Sequence, residues 1–377
     1  MRADKGRKAP VSGYRTVRKS MLNFLIITAV ALVLSLGMTP LMIVASRKWN
    51  ILDIPDERKA HTKPIPLMGG VAIYLATIVS TVLYVFLFDD KSLQLNIIIA
   101  FLIGISGVTM MGLIDDILSL PARRRLIILF ILALIVLVGC LQFYFPKDLL
   151  ANPLLAAVVS VFVVLWIVAI TNAINFSDGL DGLASCISLV SALSFAAIFF
   201  LQGRYQLALP TTLALCGAII GFLTYNFHPA EIFMGDAGSM FIGFMLGILS
   251  IMSISSEPSV VSLVVPIYLI LLPIVDMCMS VLRRLLLRLP VMKPDKMHFH
   301  HILIEKYKSH RLAVFILVGI QIVCAAIGIA IYMLKLYIEG WVLLGVVAVV
   351  AIVYTVLKVR RIKNESQIEQ NDTNQPQ

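Results

Sequence analysis

PLLAAVVSVFVVLWIVAITNAINFSDGLDGL, residues 153–183, decides the fold in two strokes. From Pro153 to Ile170 it carries no charged group, and a helix of about 20 apolar residues is what crosses a bilayer core. Directly after that run, Asn172, Asn175, Asp178 and Asp181 follow one another at intervals of three. A hydrocarbon segment ending in four such groups has a use for them at the membrane surface.

The rest of the chain repeats the first pattern. Of its 377 residues 60% are hydrophobic and only 14% charged, with a mean hydropathy of +0.96, which excludes a soluble domain. Eleven runs have the length of a span: Met21 to Val44, Gly70 to Phe88, Ile97 to Ile114, Leu126 to Phe145, Pro153 to Ile170, Leu183 to Leu201, Leu207 to Tyr225, Ser239 to Ile254, Val260 to Leu282, Leu312 to Leu334 and Trp341 to Leu357. The fold class expected is an all-α integral membrane protein of about eleven transmembrane helices. The first run is too long for a signal-peptide core and lacks a cleavage motif, so it reads as a retained helix. Residues 1–20 form a basic N-terminal tail, residues 21–357 one polytopic domain, and residues 358–377 a polar tail whose composition predicts disorder. All five cysteines fall inside the runs without CxxC spacing, which indicates packing rather than a disulfide framework or a zinc site.

Cytoplasmic loops carry the excess of Lys and Arg. With eleven spans, one side holds twenty of these residues and the other eleven, seven of the eleven lying in the N-terminal tail. The larger sum places the C-terminus inside and the N-terminus outside, against the pull of that tail. Asp53, His61, Asp115, Asp116, Asn172, Asn175, Asp178, Asp181, Asn226, His228, Asp236, His298, His300 and His301 all fall on the basic side. An active site at the cytoplasmic surface gives such one-sidedness, whereas a transporter or flippase for an anionic substrate gathers its polar groups near the midplane.

Each stretch has a sharp and a plain reading. MGLIDDILSL sets Asp115 and Asp116 side by side; their repulsion near a low-dielectric surface is best relieved by a divalent cation, and Mg²⁺ favours one or two carboxylates plus substrate phosphates. The plain reading is a solvated helix end. In NAINFSDGLDGLA, the spacing aligns Asn172, Asn175, Asp178 and Asp181 on one helical stripe suited to a nucleotide and its phosphates. Helix capping by Ser177 or Asp178 accounts for one or two of the four. FHPAEIFMGDAGSMFIG flanks Asp236 with Gly235 and Gly238, which lets a cation or phosphate reach carboxylate and backbone; a tight turn is the alternative. PDKMHFHHILI offers His298, His300 and His301, better suited to phosphate than to zinc because no thiolate or HExxH pair accompanies them. Asp276 is the one acid inside an expected span, a functional position by default. Arg283 and Arg284, two turns on, either hold an anionic group or snorkel to the interface.

DDILSL, NAINFSDGLDGLA, AEIFMGDAGS and PDKMHFHH, in this order and on one side of an eleven-helix chain, resemble the polyprenyl-phosphate N-acetylhexosamine-1-phosphate transferases. RKAHTKPIPLMGG in the first loop is most similar to the TagO/WecA-like branch, and the His-x-His-His pattern separates it from the related muropeptide translocase. The resemblance implies transfer of N-acetylglucosamine 1-phosphate from UDP-GlcNAc to undecaprenyl phosphate with release of UMP, the first step toward a wall polymer such as wall teichoic acid. It implies a multi-pass protein of the bacterial cytoplasmic membrane with its active site on the cytoplasmic face. Its partners would be UDP-GlcNAc, undecaprenyl phosphate and membrane lipids, without nucleic acid and with a homodimer allowed. Carried over by motif, Asp115 and Asp236 would hold Mg²⁺, for which Mn²⁺ could substitute, and Asp116 would be the candidate base for the lipid phosphate or, as the alternative, a nucleophile in a two-step route. Asn172, Asn175, Asp178 and Asp181 would bind the uridine and diphosphate end. His298, His300 and His301, with Arg283 or Arg284, would contact sugar and phosphate, and Asp53, His61 and Lys63 would close the site. Ser119 stands where the family's DDxxD pattern has a third acid.

Overall fold

The computed structural model describes residues 11–55, 63–88, 95–144, 152–254, 260–290 and 297–373. Its helices are α1 (Val11–Lys48), α2 (Gly69–Phe88), α3 (Leu95–Leu118), α4 (Ala122–Tyr144), α5 (Pro153–Ser177), α6 (Leu183–Leu201), α7 (Ala208–Asn226) and α8 (Gly235–Met252), followed by α9 (Val264–Leu269), α10 (Leu271–Leu286), α11 (Phe299–Tyr307), α12 (His310–Leu334) and α13 (Tyr337–Thr373). Two-residue strands β1 (Leu52–Asp53) and β2 (Ile65–Pro66) pair antiparallel in the first loop. Each of the eleven runs is mainly helical over its described residues. Nine helices among the described residues are long and apolar enough to cross a membrane, and a tenth crossing exists if α9 and α10 count as one. The remaining run, Leu126 to Phe145, is α4, 23 residues long, with Arg123, Arg124 and Arg125 in its opening turns.

The helix at the centre is α8, whose residues are almost all buried although the chain around it is lipid-facing. It packs against α2, α3 and α5. Its two ends are held by opposite charges, as the helix dipole favours. At the C-terminus Arg204 donates to Met252 O and Ile254 O, and Gln202 donates to Ser253 O at 2.7 Å. At the N-terminus stands the carboxylate of Asp116.

One expectation is corrected. The run from Val260 to Leu282 is not one straight span: a 3-10 turn (Val260–Leu263) leads into α9, and α10 leaves it at 90°. A break at membrane depth strands backbone groups that only protein can satisfy. Gln321, fully buried on α12, does so: its Oε1 accepts from Leu272 N at 3.2 Å, and its Nε2 donates to Leu269 O at 2.7 Å and to Ser191 Oγ. Nothing in the apolar pattern of residues 260–282 announces a bend whose partner lies on another helix. Replacing Gln321 with Leu leaves these groups unpaired and is expected to lower stability by about 1–3 kcal/mol, read as a reduced thermal midpoint in detergent. An unchanged midpoint would show that the bend holds itself.

In the tail from residue 358, the described residues continue α13 as helix to Thr373. Adding residues to an existing helix avoids the nucleation step, and Lys, Arg, Glu and Gln are good helix formers. Lys363 Nζ also donates to Leu286 O at the end of α10. At the other terminus, helix begins at Val11, so residues 11–20 of the basic tail are continuous with the first span.

Candidate active site

The last turn of α3, the end of α5 and the first turn of α8 converge at one end of the bundle. Glycine lets them. An added methyl at Gly112 on α3 would strike the backbone of Asp236 and Ala237, and Gly235, at φ +66°, turns the chain into α8 where a side chain would run into Asp116.

The convergence brings together residues far apart in sequence. Asp115 is buried, accepts from Leu120 N through Oδ1 and pairs through Oδ2 with Nη1 of Arg125. The same Nη1 lies 3.2 Å from Asp236 Oδ2. Asp236 Oδ1 accepts from Asn175 Nδ2 at 2.7 Å, and Asn175 also donates to Ser239 Oγ at 2.9 Å. Asp115 and Asp236 therefore meet as expected, with one cationic nitrogen between them. Arg125 was missed at the sequence level, where it counted only as one of three loop arginines; the turn of α4 that aims it back is set by packing.

Asp116 lies against the first turn of α8. Its Oδ1 accepts from Asp236 N at 2.8 Å and its Oδ2 from Ala237 N at 3.1 Å. Both oxygens are thus engaged by the first amides of α8, where a carboxylate also answers the helix dipole. A group so held also positions Asp236.

The four polar residues after Ile170 do not form one stripe, because α5 ends at Ser177. Asn175 faces Asp236, whereas Asn172 donates back to Val168 O of its own helix at 2.7 Å. Asp178, the C-cap residue, is half-buried, and burial followed by the charges of Asp236 and Asp181 pushes its carboxyl up to about 8. Asp181 holds the loop between α7 and α8: its Oδ2 bonds His228 Nδ1 at 2.7 Å and accepts from Ala230 N. Asn226 ties the same loop to Ser185 and Ile232.

The first loop borders this cluster. Phe233 N donates to Pro66 O, and Gly69 and Gly70 donate to Phe233 O and Met234 O just ahead of Asp236. Asp53 lies opposite Ile65 in the strand pair and Lys63 precedes it; His61 lies outside the described residues. Arg283 and Arg284 are buried in the last turn of α10, with Arg284 Nη1 at 3.5 Å from Pro290 O.

The histidines form a stack at the start of α11. His298 and His300 are parallel within 3° at 5.7 Å, and His301 lies 4.2 Å from His300. His300 rests on the turn after α5, where an added methyl at Gly179 would meet its ring. Burial, then the charge of His301, holds His300 down at about 3 despite the opposing pull of Asp276. A histidine neutral when folded and titrating near 6.5 when unfolded contributes stability present above that value and lost as pH falls towards 3. The thermal midpoint is therefore expected to drop between pH 7.5 and 5.5, and to drop less in His300→Gln. Equal drops in the two proteins would refute that assignment.

Which metal the cluster suits follows from its donors. Two carboxylate oxygens share one cationic position, and among the described residues no group of three or more His, Cys, Asp or Glu side chains could hold an ion. That set fits Mg²⁺, a hard cation that takes one or two carboxylates and completes its shell with water and phosphate oxygens. It does not fit a site built from protein ligands alone.

Residues 98–254 match glycosyl transferase family 4. A Bacillus subtilis protein named "Probable undecaprenyl-phosphate N-acetylglucosaminyl 1-phosphate transferase" is 36% identical over 299 residues, covering 79% of this chain and 82% of that one. A Mycolicibacterium smegmatis decaprenyl-phosphate N-acetylglucosaminephosphotransferase is 33% identical over 84% of each chain. A phospho-N-acetylmuramoyl-pentapeptide-transferase of Thermoanaerobacter is 35% identical over a shorter stretch, 59% of this chain and 72% of its own.

Proposed function

The chain belongs to glycosyl transferase family 4, in the branch of the polyprenyl-phosphate N-acetylglucosamine-1-phosphate transferases, and from that premise we propose how its residues carry the reaction. It is a membrane phosphoglycosyltransferase that moves N-acetylglucosamine 1-phosphate to a polyprenyl phosphate. The donor is UDP-GlcNAc and the acceptor undecaprenyl phosphate. An oxygen of the lipid phosphate bonds to the phosphorus that carries the sugar, the bond from that phosphorus to the bridging oxygen breaks, and UMP leaves with the electron pair. The product is a lipid-linked pyrophosphoryl sugar, the start of a wall polymer of the teichoic acid type.

The observation that carries this reading is the shared position between Asp115 and Asp236 at the end of a buried helix. Bringing two phosphates together concentrates negative charge, and Mg²⁺ bound there would offset it as a Lewis acid. The chain's own residues do the rest. Asp115 and Asp236 offer the oxygens, Asn175 fixes the direction of Asp236, and Asp116 fixes where its backbone lies. Arg125, whose Nη1 reaches both carboxylates, would lie beside the phosphates, where a guanidinium can bond oxygens in pairs. The excess of Lys and Arg in the loops at this end supports a cytoplasmic active site.

The test is UMP release by purified protein in detergent with UDP-GlcNAc, undecaprenyl phosphate and Mg²⁺. Release that requires both lipid and metal supports the reading. A folded preparation inactive with UDP-GlcNAc, UDP-GalNAc and UDP-MurNAc-pentapeptide alike would overturn it.

A further inference from the structure

Asp276 is a buried carboxylate to which the transfer just described gives no task. It lies in the second turn of α10 at 8% exposure. Its two oxygens are used separately: Oδ1 accepts from Phe299 N at 2.9 Å, and Oδ2 lies 2.9 Å from Nδ1 of His298. The first bond caps α11 from a distance, since the N-cap residue, His298, makes no side-chain cap bond of its own. A neutral amide would cap as well without burying a charge. The second bond is where a carboxylate differs. A carboxylate oxygen that accepts from Nδ1 leaves the lone pair of a neutral ring on Nε2.

His298 is fixed on its other sides too. Its ring meets Phe176, in the last turn of α5, at 5.8 Å, and lies parallel to His300. His300 in turn rests on Gly179. The oriented histidine therefore borders the segment from which Asn175 reaches Asp236.

Resting on the transferase reading above, we propose that Asp276 is a positioning residue: it holds His298 in the Nδ1-protonated form and leaves Nε2 as the atom that meets the substrate. The arrangement is that of a histidine whose working nitrogen is chosen by the partner of the other one.

Asp276→Asn tests this without removing the scaffold. The amide carbonyl still accepts from Phe299 N, while the amide N-H donates to His298 Nδ1 and moves the ring proton to Nε2. A purely structural role survives that exchange; a choice of tautomer does not. The expected result is a fall in kcat for UMP release of about 10- to 100-fold, the range for losing an orienting partner, with the thermal midpoint and the KM for UDP-GlcNAc preserved. Because Asp276 acts through the ring, the same substitution in a His298→Gln background should cause no further loss. Wild-type kcat in Asp276→Asn, or losses that multiply in the double variant, would overturn the inference. If the variant melts early, ¹⁵N chemical shifts of His298 in the wild-type protein decide instead: a proton resident on Nε2 refutes the proposal. Wild-type protein that releases no UMP is a different outcome and counts against the transferase reading itself.

Discussion

Asp236→Asn lowers kcat for UMP release by at least about 10²- to 10³-fold, the scale on which one fixed electrostatic contact to a developing charge acts, while leaving the helix bundle folded. The carboxylate receives Asn175 on one oxygen and Arg125 on the other. An amide can keep the first bond, yet it turns a donor toward Arg125 and removes one of the two charges that meet at the shared position. Binding of the donor sugar nucleotide should weaken less than the rate, since the charge that Asp236 offsets is greatest in the transition state. Single-turnover kinetics alongside a thermal melt make the distinction. A variant within tenfold of wild type would remove Asp236 from the centre of the reaction.

Asp116→Asn gives the second large effect, and it differs in kind. Both oxygens of Asp116 bond amides at the start of α8. Asn supplies one acceptor for two donors and points an N-H at the other, leaving a buried amide unpaired at a cost of about 1–3 kcal/mol. Activity and thermal stability are therefore expected to fall together, with kcat down about 10- to 100-fold through the displaced Asp236. A pure proton acceptor behaves otherwise: its amide variant loses rate and keeps its melting temperature. That outcome would assign Asp116 as the base.

These two aspartates show what a sequence can and cannot tell. Asp115, Asp116 and Asp236 stand out in an apolar chain, and the cost of charge near hydrocarbon is enough to mark them. Their division of labour depends on the close approach of α3 to α8 that Gly112 and Gly235 permit. The positions of the helices were legible because apolar length is a strong signal. The bend at Ile270 was not, since its partner Gln321 is an isolated polar residue in a run that otherwise reads as a span. Asn172 and Asp181 shared the spacing of Asn175 and Asp178, but the helix ends at Ser177, so equal intervals stopped meaning a common face. Arg125 carried no signal beyond its charge.

Gln321 also bears on how the chain is made. Its bonds to Leu272 N and Leu269 O link positions 49 and 52 residues apart, so α9 and α10 leave the ribosome well before the side chain that completes their corner. At about 5–20 residues per second, roughly 3–10 s of synthesis separate the two. During that interval the amides at the break depend on water or on the insertion machinery, and the corner becomes final only when α12 arrives. The segment that presents Asp276 and the histidine stack is thus assembled among the last steps of biogenesis, after the aspartate cluster on α3, α5 and α8 has been synthesised.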